Sequence, residues 1–184
     1  ELVRKLFEQT PQDPLRRGFV VACGMDPDAL LAERDSRPAP TPQLSSTVQK
    51  ALALAGEDAA RLGQLDVRPE NLFIGLLRAS TRPVRILKDF GWMEVERFHA
   101  DLADRLAPTQ GGADLPELPM HADAQVVIEA AVATATARRQ REVEEFYVLH
   151  ALTGRNEGPV AQLLGRYGLS AAKVHADLTR WLTL

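Results

Sequence analysis

Apolar residues recur along most of the chain at the three- and four-residue steps of amphipathic helices. Val48, Ala51, Leu52, Ala55, Ala59 and Leu62 lie on one such stripe, with Ser46 and Gln49 spaced as a capping box ahead of it and Gly63 placed to end it. Ala124, Val127, Ile128, Ala131 and Ala135 form the same stripe 76 residues later. Pro69, whose missing N–H would be unpaired in a first turn anyway, opens a second helix through Leu72, Leu76 and Leu77. Its counterpart runs from Glu144 through Tyr147, Ala151 and Leu152. A third, short helix carries Ile86, Leu87 and Phe90 and stops at Gly91, and Leu163, Leu164, Tyr167 and Gly168 repeat it. The last helices, Glu94 to Leu106 and Ser170 to Leu182, share the tetrapeptide His-Ala-Asp-Leu at His99 to Leu102 and at His175 to Leu178.

The chain therefore contains two copies of one helical unit, and Pro69-Glu70-Asn71-Leu72 in the first answers to Glu144-Glu145-Phe146-Tyr147 in the second. Solenoid and propeller repeats run about 20 to 50 residues, so the longer period here marks a duplicated small domain. The copies span residues 44–107 and 119–184, with a linker over 108–118 whose glycines and prolines suit a surface crossing. A unit of about 65 residues is near the lower limit for an independent core, so the two copies are expected to pack together. Residues 1–36 read as the second half of a third copy. Phe19, Val20, Cys23 and Gly24 fall where Ile86, Leu87, Phe90 and Gly91 fall, Asp26 to Glu33 supplies a final helix, and Leu2, Leu6 and Phe7 would belong to a second helix. The predicted fold class is all-α: two pseudo-symmetric four-helix repeats packed as one body and preceded by a partial repeat. A half unit leaves an apolar face uncovered at Leu6, Phe19 and Val20, which makes a homo-oligomer through the partial repeat one expected arrangement.

Composition narrows the partners. With 45% hydrophobic residues among 184, the chain can build a core. A formal charge of -3 and a pI near 5.8 argue against nucleic acid or an anionic membrane as the main partner, since both reward a basic face. One cysteine, Cys23, cannot form an intrachain disulfide and fits a reducing, cytoplasmic setting. Cys23 aligns with the apolar Phe90 and Tyr167, which predicts a buried, inert thiol. The chain opens at Glu1 inside a helical pattern and without Met, as it would if coding sequence lay upstream.

Catalytic chemistry has little to stand on. His99, His121, His150 and His175 sit in no metal-ligand spacing, so neither a metal nor a catalytic residue is assigned and no cofactor is expected. His99 and Asp101, like His175 and Asp177, are two apart on a helix, and their side chains diverge by about 200°. The run Arg138-Arg139-Gln140-Arg141-Glu142 reads as a solvated helix end, and Trp92 and Trp181 read as packing anchors. No phosphate-cradling Gly-x-x-x-x-Gly-Lys motif is present, so these residues offer no ATP site.

The string Val67-Arg68-Pro69-Glu70-Asn71-Leu72-Phe73-Ile74-Gly75-Leu76-Leu77-Arg78, preceded by Glu57-Asp58-Ala59-Ala60-Arg61-Leu62-Gly63, resembles the repeat in the amino-terminal domains of caseinolytic-protease (Clp) chaperones such as ClpC and ClpA. The resemblance is best over 44–107, looser over 119–184 and loosest over 1–35. It implies a non-catalytic module that recruits substrates, degrons or adaptor proteins to a Clp ATPase and protease. A free-standing structural or self-associating module is the other class left open. Some members bind phosphorylated arginine at the start of each repeat's second helix, and that role would fall on Glu70 and Glu145. The family's Thr is replaced there by Pro69 and Glu144, and its His by Asn71 and Phe146. Without a ligand, either glutamate would still stabilise the first turn of its helix, by about 0.3 to 1 kcal/mol.

Overall fold

A computed structural model describes residues 7, 13–36, 41–83, 85, 118–155 and 157–183. The predicted helices over 86–90 and 94–106, the first His-Ala-Asp-Leu copy, Gly91, Trp92 and most of the 108–118 linker lie outside the described residues, as do Leu2 and Leu6. The chain divides into two compact units, Glu1–Pro40 and Thr41–Leu184.

In the larger unit the described elements are β1 (Gln43–Leu44), α3 (Ser46–Arg61), α4 (Pro69–Ala79), α5 (Ala122–Ala137), β2 (Glu142–Val143), α6 (Glu145–Thr153), α7 (Pro159–Gly165) and α8 (Ala171–Thr183). The smaller unit holds α1 (Pro14–Ala22) and α2 (Pro27–Ser36). The fold is all-α apart from the two-residue strands.

The duplication is visible residue by residue. α3 and α5 both have 16 residues and start 76 apart, and α4 and α6 also start 76 apart. Val48, Ala51, Ala55 and Ala59 are buried on α3, and Ala124, Val127, Ala131 and Ala135 occupy the same places on α5. Leu62, predicted on that stripe, is the C-cap of α3 and is exposed instead, because the helix has already turned off its buried face. Gly63 then takes a positive φ of 66°, as its helix-stop role requires, and Arg139 adopts the same left-handed conformation in the second copy, with φ 54°.

The copies are joined by exchange of their leading segments. Gln43 and Leu44, just before α3, pair in parallel with Glu142 and Val143, just before α6. Met120, just before α5, bridges Val67, just before α4. Ser45 N–H donates to the Val143 carbonyl at 3.1 Å and His121 N–H to the Val67 carbonyl at 2.9 Å, a bond and its symmetry mate. The run 138–142 is thus no merely solvated helix end: Arg141 accepts from Gln43 N–H, and the Arg138 guanidinium donates to the Leu182 carbonyl.

This pairing also moves the cap. Ser45, held extended by its strand-like bond, is the N-cap of α3 and accepts from Val48 N–H at 3.2 Å, whereas Ser46 is the first helical residue. Gln49 donates to the Leu44 carbonyl at 2.9 Å rather than closing a box with Ser46. His121 holds the equivalent cap of α5, its Nδ1 accepting from Asp123 N–H at 3.1 Å.

One core runs through both copies, from Val48, Leu72, Phe73 and Leu76 to Val127, Val148, Leu149, Leu164, Val174 and Leu178. α7 of the second copy lies against α4 of the first as well as against α8. Trp181 anchors this core only at its edge: its ring meets Phe146 edge-on at 4.9 Å and is 43% exposed.

In the smaller unit Phe7 and Val20 are buried, and Arg17 pairs with Asp28 at 2.8 Å to tie α1 to α2. Phe19 is exposed as expected, but Val20 is not. Cys23 is exposed, contrary to expectation, because it is the C-cap of α1, beyond the last position that the helix buries.

Candidate binding site

The two glutamates singled out by sequence stand at helix starts but not at equivalent positions. Glu145 is the first residue of α6 and Glu70 the second residue of α4. The strand register fixes a 76-residue offset, so Glu145 matches Pro69 and Glu70 matches Phe146; the sequence pairing of Glu70 with Glu145 is one residue out.

Their surroundings differ as well. Arg82 Nη1 lies 2.8 Å from Glu144 Oε2 and 3.6 Å from Glu145 Oε1, and its guanidinium sits 5.4 Å from the centre of the Phe146 ring. Two carboxylates and an aromatic face are the surroundings a guanidinium favours, and the chain's own arginine fills them. At the first copy the Glu70 Oε2 atom is buried and has no hydrogen-bond partner. A buried oxygen in that state costs about 1 to 3 kcal/mol relative to a paired one.

Behind Glu70 the helix start is rigidly held. Arg68 N–H donates to Asn71 Oδ1 at 2.9 Å, and Asn71 Nδ2 donates to Asp58 Oδ2 at 2.8 Å. Asp58 is fully buried, and Arg61 approaches its other oxygen at 3.3 Å. Sequence reading did not pick out Asp58, although it lies within the string that carries the family resemblance.

A cleft of about 240 Å³ opens between the copies, where α4, α5 and α7 begin. Pro69, Val127, Leu152 and Val160 give it an apolar lining, and Asp123 and Arg155 add an ion pair of 2.7 Å. The hydrogen bond from Arg155 holds the Asp123 carboxyl below the usual carboxylate range. Among the described residues no group of three or more His, Cys, Asp or Glu side chains could hold a metal ion, and no helix is long and apolar enough to cross a membrane.

The histidine of the second shared tetrapeptide is structural. His175 Nδ1 lies 3.0 Å from the His150 carbonyl, the two rings stack at 4.1 Å, and His150 Nε2 meets Thr179 Oγ1 at 3.0 Å. Burial above all, then the charges of His175 and Arg138, pulls the His150 imidazole down to about 4. Native His150 therefore stays neutral while the unfolded chain takes up a proton below pH 6.5. Stability should hold above pH 6.5 and fall as pH drops toward 4, by about 1 to 2 kcal/mol for a half-exposed ring. Urea unfolding at about pH 7.5 and about pH 4.5 checks this. A His150→Gln variant should lose that part of the slope, and an unchanged slope would dismiss His150 as its source.

No protein-family model and no curated protein sequence matches the chain. Among solved structures, the amino-terminal domain of the caseinolytic-protease-associated chaperone ClpD from Arabidopsis thaliana superposes with a TM-score of 0.55 at 16% identity, over 77% of this chain and 96% of that one. The exchanged leading segments, the paired long helices and this superposition together give the chain the fold of a Clp chaperone amino-terminal domain.

Proposed function

We propose that this chain is a non-catalytic protein-recognition module that recruits unfolded segments, degrons or adaptor proteins to a Clp-type unfoldase and its protease in the cytoplasm. The Clp amino-terminal fold supports this class of module. The observation that carries the ligand side is the unpaired, buried Glu70 oxygen at the start of α4. A guanidinium donor from a bound chain would satisfy it with a charge-assisted bond, and a phosphate on that arginine would meet Arg68, the N-cap residue two positions earlier. The second copy has its guanidinium already, from Arg82. Phe146 stands where the first copy has Glu70, so a single site for an arginine-bearing segment is predicted, at Glu70.

Fluorescence anisotropy with labelled casein, unmodified and phosphorylated on arginine, tests this. Saturable binding with one site is expected, weakened about tenfold or more by Glu70→Gln and little changed by Glu145→Gln. If neither casein binds more tightly than about 100 µM, the recruitment reading falls. The second reading, a structural or self-associating module, is favoured by one observation, the exposed apolar face of α1.

A further inference from the structure

We propose that the Glu70 site selects an unmodified arginine and turns a phosphorylated one away. Such selection rests on the recruitment reading above and fixes, in addition, the charge of the side chain that enters.

A helix start attracts phosphate through its first four N–H groups, which have no partner inside the helix. In α4 these belong to residues 68–71, since Leu72 N–H is the first to bond back, to the Arg68 carbonyl at 3.1 Å. Two of the four are gone. Pro69 has no N–H, and the N–H of Arg68 donates to Asn71 Oδ1 at 2.9 Å. The helix start keeps its carboxylate for a guanidinium but loses half of its amide donors for an anion.

The charged side chains carry the same bias. Arg68 Nε donates to Asp66 Oδ1 at 3.0 Å, and this bond above all, with the charges of Asp66 and Glu70, raises the Arg68 pKa above the ordinary arginine value. A phosphate that reached Arg68 would therefore also meet two carboxylates. Arg61 is committed as well, to the buried Asp58 at 3.3 Å. Asp58, Asp66 and Glu70 set against Arg61 and Arg68 leave one negative charge, which an unmodified guanidinium neutralises. A phosphoryl group, with a charge of about −1.5 to −2, reverses that match.

The chain supplies its own example of the favoured form. At the start of α6 the unmodified guanidinium of Arg82 lies 2.8 Å from Glu144 Oε2, 3.6 Å from Glu145 Oε1 and 5.4 Å from the centre of the Phe146 ring. A phosphate on that arginine would face both carboxylates.

Fluorescence anisotropy of the whole chain with three labelled peptides, identical except for one position that carries arginine, phosphoarginine or glutamine, tests this. The arginine peptide should bind about tenfold or more tightly than either of the others. Asp66→Asn, at a partly exposed position, should keep the parent's circular dichroism and narrow the gap between arginine and phosphoarginine about threefold or more, because it releases Arg68 and removes one repelling charge. Equal or tighter binding of the phosphoarginine peptide overturns the selectivity and leaves recruitment standing. An arginine peptide that binds no better than the glutamine one overturns it too, and a gap that Asp66→Asn leaves unchanged overturns its assignment to these charges. If none of the three binds more tightly than about 100 µM, the recruitment reading falls with it.

Discussion

Gly75→Ala should lower the stability of the larger unit by about 2 kcal/mol or more, read as a fall in melting temperature of about 5 to 10 °C. A Cβ at Gly75 would sit 2.1 Å from the Ala51 carbonyl oxygen, 3.0 Å from Ala55 N and 3.1 Å from the Ala51 carbonyl carbon. All three are backbone atoms, so no side chain can rotate away and α3 must separate from α4. Alanine gains about 1 kcal/mol over glycine as a helix former, but overpacking between two backbones outweighs that gain. The same separation opens the core around Ala51, Leu72 and Leu76. Position 151, the counterpart of 75, holds an alanine that is only partly buried, so the close approach belongs to the first copy alone. A variant that melts at or above the parent temperature would refute this account of Gly75.

Asn71→Leu should be at least as damaging, costing about 2 to 4 kcal/mol in urea unfolding. Leucine keeps most of the volume but takes the amide donor from Asp58, a carboxylate with no exposure to water, and removes the acceptor for Arg68 N–H. Asp58 keeps Arg61 at 3.3 Å on its other oxygen, so the cost is that of leaving one buried carboxylate oxygen without its amide donor. A double variant with Asp58→Leu as well should therefore be less destabilised than the sum of the two single changes, because the carboxylate oxygen that lost its donor is gone too. Strict additivity would mean that Asn71 acts through packing alone. Thr134 and Tyr147 stand at the matching positions of the second copy, so this buried polar pair is another point at which the copies have diverged.

Periodicity was enough to read the duplication, because long amphipathic stripes such as Val48 to Ala59 and Ala124 to Ala135 are set by burial on one face. The strands were not legible: two residues carry no period, and their partners lie on the other copy. That missing register also explains the slip in aligning Glu70 with Glu145, since Pro69-Glu70 and Glu144-Glu145 look alike locally and only the Val67 and Val143 pairings separate them. Glu70 itself was singled out from the motif around it. The arginine against Glu144 was not, since Arg82 lies 62 residues away and nothing in its neighbours marks it. Cys23 was misplaced because it caps α1 just beyond the last position that the helix buries, a boundary that its alignment with Phe90 and Tyr167 does not show.

Leu44 and Val143 lie 99 residues apart, and Val67 and Met120 lie 53 apart. Closing the shorter loop costs less chain entropy, so the inner bridge is the natural first link in folding and the outer one seals the molecule afterwards. Neither half can be excised intact, because each would lose the stretch of backbone that the other supplies. A cut between them would leave two fragments, each with a bare edge seeking the other, and the folded state would then depend on how often they met.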